Sequence, residues 1–209
     1  MNKAHHRFSP ICFITGASPA CNLESAVSIL LESGIRWIQY REKNKTKRDL
    51  FYEALKLREI TRKYNACFIV NDHADIALAV DADGVHLGQD DLPLAEARKI
   101  MGDRIVGIST HALQEALSAE TGGADYIGFG PVFHTATKDA GEPKGVDILK
   151  HIRASVKIPV IAIGGIKADT IQSVLGAGGS GVAVSSGLLQ GDMKENAQRF
   201  LSMAASVLP

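Results

Sequence analysis

Basic side chains collect just after one short apolar run near the start of this sequence. Arg41 and Lys43 follow the run that begins at Trp37, and they stand two residues apart, so an extended segment directs both to one side. Arginine holds an oxyanion through two parallel donors, whereas lysine acts as a compact point charge. Lys138, in a later polar loop, adds a third cation. The pattern favours an anion site, and the alternative is a solvated surface, because more basic residues follow directly.

Two acidic residues occupy matching positions after neighbouring apolar runs. Asp72 comes directly after the run Cys67–Asn71, and Asp91 follows the run Gly84–Leu87, with Asp90 as a weaker candidate beside it. Two carboxylates from adjacent loops can bind one Mg²⁺, with water and diphosphate oxygens completing six-fold oxygen coordination. Each aspartate alone could instead cap a helix. The nearby cations favour the metal interpretation.

Predicted strands and predicted helices, which must position these residues, alternate regularly along the chain. Short apolar runs without polar alternation are typical of strands buried on both faces of a parallel sheet. Between them lie segments of helical period, with Asn22, Thr46 and Asp169 as expected N-caps and Pro93 in a first turn. The eight predicted strands are Ile11–Thr15, Trp37–Arg41, Cys67–Asn71, Gly84–Leu87, Ile105–Ser109, Tyr126–Gly130, Val160–Gly164 and Gly181–Ser185. Eight βα units predict a single (β/α)8 TIM barrel spanning residues 1–209.

In this architecture the carboxyl ends of the strands form the active face, and polar residues follow seven of the predicted strands. Such barrels usually bind phosphate at the loops after strands seven and eight, and these loops contain Gly164-Gly165 and Ser185-Ser186-Gly187 here. The alternative is that the paired glycines only form a tight turn. The histidines form no zinc pattern, and His86 is expected to be a hydrogen-bonded interior residue. Cations, acids and phosphate-binding loops together suit the departure of a diphosphate group.

Composition excludes several classes of protein. Lys+Arg and Asp+Glu are 23 each, so no net basic charge attracts nucleic acid. The three cysteines form no CxxC pair, no signal peptide is apparent, and no apolar run reaches membrane-spanning length. We therefore expect a cytoplasmic protein that acts on small molecules, with no nucleic acid or membrane partner.

Six motifs in order resemble the thiamine phosphate synthase family across nearly the whole chain. They are Gln39-x-Arg41-x-Lys43, Asn71-Asp72, His86-x-Gly88-Gln89-x-Asp91, Gly107-x-Ser109-x-His111, Gly130-Pro131-Val132-Phe133-x-Thr135-x-Thr137-Lys138 and Gly164-Gly165-Ile166. The resemblance implies condensation of 4-amino-2-methyl-5-hydroxymethylpyrimidine diphosphate with 4-methyl-5-(2-phosphooxyethyl)thiazole. Diphosphate would depart first, and the thiazole nitrogen would capture the resulting pyrimidinylmethyl cation.

The resemblance also assigns roles by position. It places Arg41, Lys43, Ser109 and Lys138 in catalysis and assigns Mg²⁺ to Asp72 and Asp91. The residues assigned to the pyrimidine diphosphate are Gln39, Tyr40, Arg41, Glu42, Lys43, Asn71, Ser109 and Lys138. Those assigned to the thiazole phosphate are Thr135, Ala136, Thr137, Gly165, Ser185 and Ser186.

The chain departs from the family pattern at a few positions, and other functions compete. Gly16 stands where many members have Asp, Asp90 where Glu is common, and Ser185 where an aliphatic residue is common. A thiazole tautomerase would have His in place of Pro131 and often lacks the aspartate pair. A non-catalytic barrel that binds thiamine precursors could dispense with the metal acids, and a sugar-phosphate isomerase would need a base that the motifs do not indicate.

Overall fold

The computed structural model describes residues 8–16, 21–135 and 141–207. Eight parallel strands pair in sequence order, and β8 returns to pair with β1, which closes the barrel. The strands are β1 Ile11–Ile14, β2 Trp37–Tyr40, β3 Cys67–Asn71, β4 Gly84–Leu87, β5 Ile105–Thr110, β6 Tyr126–Phe129, β7 Val160–Ile163 and β8 Gly181–Val184. All eight predicted strands are confirmed, with carboxyl ends that differ from the expected ones by at most one residue.

Helices follow the strands and form the outer layer. Their bounds are α1 Leu23–Glu32, α2 Lys47–Lys63, α3 Ala74–Ala79, α4 Leu94–Met101, α5 Leu113–Thr121, α6 Gly145–Ser155, α7 Ile171–Gly176, α8 Ser186–Leu189 and α9 Met193–Ala205. In the part of the chain that the structure describes, none of these helices is long and apolar enough to cross a membrane.

The sequence predicts N-caps at three helices, and the structure confirms two of them. The Asn22 side chain accepts from the Ser25 N–H, and Thr46 accepts from the Asp49 N–H, so both expected N-caps are confirmed. Pro93 directly precedes α4. The expected Asp169 cap is wrong: α7 begins at Ile171, one residue later than that cap would allow, because residues Lys167–Thr170 form a turn closed by the Thr170 hydroxyl.

The core has two layers, because strand residues alternate between the barrel interior and the helices. The interior at the amino ends of the strands holds Trp37, Tyr126, Cys12 and Cys67. Phe8 packs on this cluster, 4.5 Å from the Trp37 ring and 5.1 Å from the Tyr126 ring. A packed floor of this kind leaves the opposite, carboxyl-end face as the open end of the barrel.

Partly buried carboxylates tie adjacent strands together at their amino ends. Asp83, just before β4, accepts from the Phe68 N–H of β3 at 2.8 Å and pairs with Arg58. Asp125, just before β6, accepts from the Val106 N–H of β5 at 2.8 Å and pairs with Arg98. The same geometry at two corners fixes strand register at the face away from the open end.

Candidate active site

A cavity of about 410 Å³ opens at the carboxyl ends of the strands. Seven of the residues assigned from sequence line it together, although they come from four different strand ends. They are Gln39, Arg41, Lys43, Asn71, Asp72, Asp91 and Ser109. Its deeper wall includes the apolar side chains of Ile14, Ile163 and Ala183. The cavity therefore combines a charged mouth with apolar side chains on part of its wall.

The cationic edge of the mouth is held by a buried threonine at the end of β1. The Thr15 hydroxyl donates to the Arg41 carbonyl at 3.0 Å and accepts from the Arg41 N–H at 2.8 Å. Thr15 is only 2% exposed, so this contact fixes the backbone just where β2 ends. Arg41 and Lys43 thus extend from an anchored segment, which limits the backbone ordering that binding of an anion requires.

The acidic edge is a pair of carboxyl groups in direct contact. Burial and the contact with Asp91 raise the pKa of Asp72 to about 6, against the opposing effect of Lys43 and Arg41. Lys43 Nζ lies 3.9 Å from Asp72 Oδ2. Asp91 Oδ2 also accepts from the Gly88 N–H at 2.6 Å. Two repelling carboxylates held this way form a site suited to a cation.

Asp72 has a left-handed backbone, with φ of 65°. Its N–H donates to the His86 carbonyl at 2.8 Å, which ties the end of β3 to β4. Only Gly, Asn and Asp adopt this conformation readily, and such residues concentrate at functional sites. The alternative that Asp72 or Asp91 caps a helix is wrong, because α3 and α4 begin after His73 and Pro93.

Ser109 belongs to a hydrogen-bonded group inside the cavity. Its hydroxyl lies 2.9 Å from His86 Nε2, and His86 Nδ1 lies 2.9 Å from the Tyr126 hydroxyl. Gln89 Nε2 donates to the Ser109 carbonyl at 2.6 Å. The expectation that His86 is a hydrogen-bonded interior residue is confirmed. The structure adds that this histidine faces the cavity.

Two residues assigned to the pyrimidine diphosphate, Tyr40 and Glu42, do not line the cavity. Tyr40 points outward into the helix layer, where it is 1% exposed and donates to Glu53 at 2.6 Å. Glu42 accepts from the N–H groups of Lys43 and Asn44, so it closes a local turn. The reason is the two-residue period of the extended chain, which sends Gln39 inward and its neighbour Tyr40 outward.

The loops after β6, β7 and β8 contact one another. Gly165 has φ of 62°, and a Cβ there would lie 2.3 Å from the His134 carbonyl oxygen. A Cβ on Gly187 would lie 3.3 Å from the Ile166 carbonyl oxygen. Thr135, Gly165, Ser185 and Ser186 are thus in three adjoining loops. Ala136, Thr137 and Lys138, which the sequence assigned to the substrates, lie outside the described residues.

Two departures from the family pattern are neighbours in space. A Cβ on Gly16 would lie 3.0 Å from Ser185 Oγ. A larger residue at position 16 therefore requires Ser185 to move. The two positions share one small volume beside the end of β8.

Several cavity residues had no role assigned from sequence. Gln89, His111 and Glu115 line the mouth, and His111 Nδ1 lies 2.7 Å from the Gly130 carbonyl oxygen. Tyr126 and Trp37 line the deeper part. Gln89 and His111 belong to the motifs quoted above, so the motifs were a signal for their place in the cavity. Tyr126 and Trp37 begin strands, and their sequence context indicates only core residues.

Comparison with known proteins gives one consistent result. A family model described as thiamine monophosphate synthase matches residues 11–188. Similar curated proteins include the thiamine-phosphate synthases of Chloroflexus aurantiacus, 46% identical over 92% of this chain and 89% of that protein, and of Halalkalibacterium halodurans, 47% identical over 83% and 84%. The solved thiamine phosphate pyrophosphorylase from Pyrococcus furiosus superposes with a TM-score of 0.89, at 41% identity over 95% of this chain and 96% of that one.

Proposed function

Because this chain belongs to the thiamine monophosphate synthase family, we propose that its cavity binds the pyrimidine diphosphate at its mouth, where Arg41 and Lys43 adjoin Asp72, Asp91 and the Mg²⁺ that they would hold. The enzyme is a transferase that joins 4-amino-2-methyl-5-hydroxymethylpyrimidine diphosphate to 4-methyl-5-(2-phosphooxyethyl)thiazole, forming thiamine phosphate and diphosphate. One observation carries the proposal: an anchored cationic edge and a touching carboxyl pair meet at the mouth of a single cavity, with Lys43 3.9 Å from Asp72.

The donor set fits Mg²⁺. Two carboxyl groups supply hard oxygen ligands, and their repulsion in a partly buried site is the electrostatic reason for a divalent cation between them. Water and diphosphate oxygens would fill the other positions. When bound, Mg²⁺ stabilises the negative charge that grows on the departing diphosphate.

The remaining residues bind and orient the pyrimidine diphosphate and exclude water from it. Arg41 and Lys43 hold the diphosphate oxygens, and Lys138 joins them by its family position. Gln39, Asn71 and Ser109 orient the pyrimidine end, and the apolar wall shields it from water. The carbon–oxygen bond to diphosphate breaks with its electron pair leaving on oxygen, and the thiazole nitrogen then bonds to the resulting pyrimidinylmethyl cation. The apolar wall matters because water would compete with the thiazole nitrogen for that cation.

The second substrate would bind at the adjoining loops. Thr135, Ala136, Thr137, Gly165, Ser185 and Ser186 are assigned to the thiazole phosphate by family position. The support is the contact between the three loops, and the general use of loops seven and eight as phosphate sites in this barrel. Ile163 and Ala183, which precede two of these loops, line the cavity, so a thiazole bound at the loops would lie beside it.

A two-substrate assay tests the proposal. Protein treated with EDTA and then supplied with both substrates should form thiamine phosphate only after Mg²⁺ is restored. Omitting the thiazole phosphate should stop product formation. Full turnover in EDTA would overturn the metal assignment while leaving the transferase function in place.

A further inference from the structure

A continuous line of hydrogen bonds runs along the cavity from Tyr126 through His86 to Ser109. The Tyr126 hydroxyl and the Ser109 hydroxyl each lie 2.9 Å from one ring nitrogen of His86. The imidazole and phenol rings also stack, with centroids 5.4 Å apart at 29°. His86 is 7% exposed and Tyr126 1% exposed. Both ring nitrogens are therefore committed, and the orientation of the imidazole is fixed.

Two glycines make room for this line. A Cβ on Gly107 would lie 2.2 Å from the Tyr126 ring, and a Cβ on Gly128 would lie 3.1 Å from His86 Cε1. Gly107 pairs with Tyr126 in the register of β5 and β6, and Gly128 pairs with Ser109. Side chains at either position would push the rings apart, so the backbone of two strands is adapted to these contacts.

The direction of the hydrogen bonds follows from the groups themselves. Burial raises the pKa of the Tyr126 phenol well above its usual value, so the phenol keeps its proton. The Gln39 side chain beside the phenol has the opposite, smaller effect and lowers that pKa. The phenol proton then goes to His86 Nδ1, the acceptor 2.9 Å away. A neutral imidazole that accepts at Nδ1 carries its hydrogen on Nε2 and donates to Ser109.

We infer that His86 is a positioning residue: it accepts from Tyr126 and donates to Ser109, so that the Ser109 hydroxyl hydrogen is directed to an acceptor atom of the pyrimidine diphosphate. Ser109 is then a hydrogen-bond donor to substrate and not a base. The identity of that substrate rests on the proposed function. The direction of the hydrogen bonds from Tyr126 through His86 to Ser109 does not depend on it.

The tautomer of His86 can be observed without substrate. In ¹⁵N-labelled wild-type protein, the ring-nitrogen shifts should show a protonated Nε2 and an unprotonated Nδ1, with the signal assigned by its loss in His86→Gln or by contacts to the Tyr126 ring. A protonated Nδ1 would reverse the line, make Ser109 the donor to His86, and overturn the inference. This result stands whether or not the enzyme turns over.

Two variants of His86 distinguish the hydrogen bond at Nε2 from the one at Nδ1. The Gln amide reaches the place of Nε2 and can still donate to Ser109, whereas the Asn amide reaches only the place of Nδ1. We expect His86→Gln to keep kcat within a few-fold and His86→Asn to lose roughly ten- to a hundredfold, the usual cost of losing an orienting partner, with KM changing less. His151→Asn, an exposed histidine on α6, is the matched control.

A double variant asks whether His86 acts through Ser109. The loss in Ser109→Ala should not deepen when His86→Asn is added, because residues that act as one unit are not additive. Additive losses, or equal losses in His86→Gln and His86→Asn, would overturn the positioning role. If wild-type protein forms no thiamine phosphate, the proposed function fails instead, and the tautomer measurement still decides the direction.

Discussion

At the scale of single residues, Asp72 shows a conflict between stability and function. Its carboxyl group is partly buried and touches Asp91, and both features disfavour its charged form without a bound cation. Asparagine tolerates the same backbone and carries no charge. A site that keeps an unfavourable carboxylate is one in which the charge serves binding.

Asp72→Asn should therefore raise the unfolding free energy of the metal-free protein by about 1–3 kcal/mol, and with it the Tm, because a partly buried charge and its repulsion with Asp91 are removed. The same variant should lose most of its Mg²⁺-dependent activity. Thermal unfolding in EDTA and the two-substrate assay measure the two effects. Asp72→Ala is the control: it removes the charge but fits the left-handed backbone poorly, so it should gain less. A fall in Tm for Asp72→Asn would contradict the repulsion.

At the scale of elements, the loops after β6 and β7 approach so closely that only glycine fits at position 165. Gly165→Ala places a methyl group against the His134 carbonyl oxygen, so the loop after β6 must move. We expect weaker binding of the thiazole phosphate than of the pyrimidine diphosphate, because the displaced loops belong to the thiazole side. Calorimetry with each substrate separately measures this difference.

Gly191→Ala is the matched control for backbone strain, since Gly191 has a similar φ of 77° and a Cβ there has no atom within 4 Å. It should lose stability without changing the affinity for either substrate. Equal weakening of both substrates in a folded Gly165→Ala protein would count against a separate thiazole phosphate site at these loops.

The amino ends of the strands should govern stability and not activity. Asp125→Ala leaves the buried Val106 N–H and the Arg98 side chain without this acceptor, which should cost about 1–3 kcal/mol of unfolding free energy. Urea unfolding measures the loss. Asp103→Ala, on the exposed surface before β5, should change stability by no more than about 0.5 kcal/mol. A large loss of kcat in folded Asp125→Ala protein would show that this face is coupled to the chemistry.

At the scale of the whole molecule, the closed barrel creates a cavity with a charged mouth and a wall that is apolar in part. Such a cavity suits an intermediate that must be kept from water while its leaving group stays bound. If the reaction passes through a pyrimidinylmethyl cation, an electron-withdrawing group in place of the pyrimidine methyl should slow turnover steeply.

The measurement is single-turnover kinetics with that analogue, so that the chemical step is observed directly. An analogue with an alkyl group of similar size is the control for fit. Unchanged single-turnover rates with the electron-withdrawing analogue would favour direct displacement by the thiazole nitrogen over the cationic route.

The sequence by itself determined the barrel, its eight strands and the residues at their carboxyl ends. Strands buried on both faces and helices with one apolar stripe are local patterns, and the N-caps at Asn22 and Thr46 are local as well. Contacts across strands were decided only by the tertiary structure. Closure fixed which residues of β2 face inward, so that Gln39 lines the cavity and Tyr40 meets Glu53. It also brought His86, Ser109 and Tyr126 together from three strands, because register and closure depend on the packing of the whole chain and not on any one segment of it.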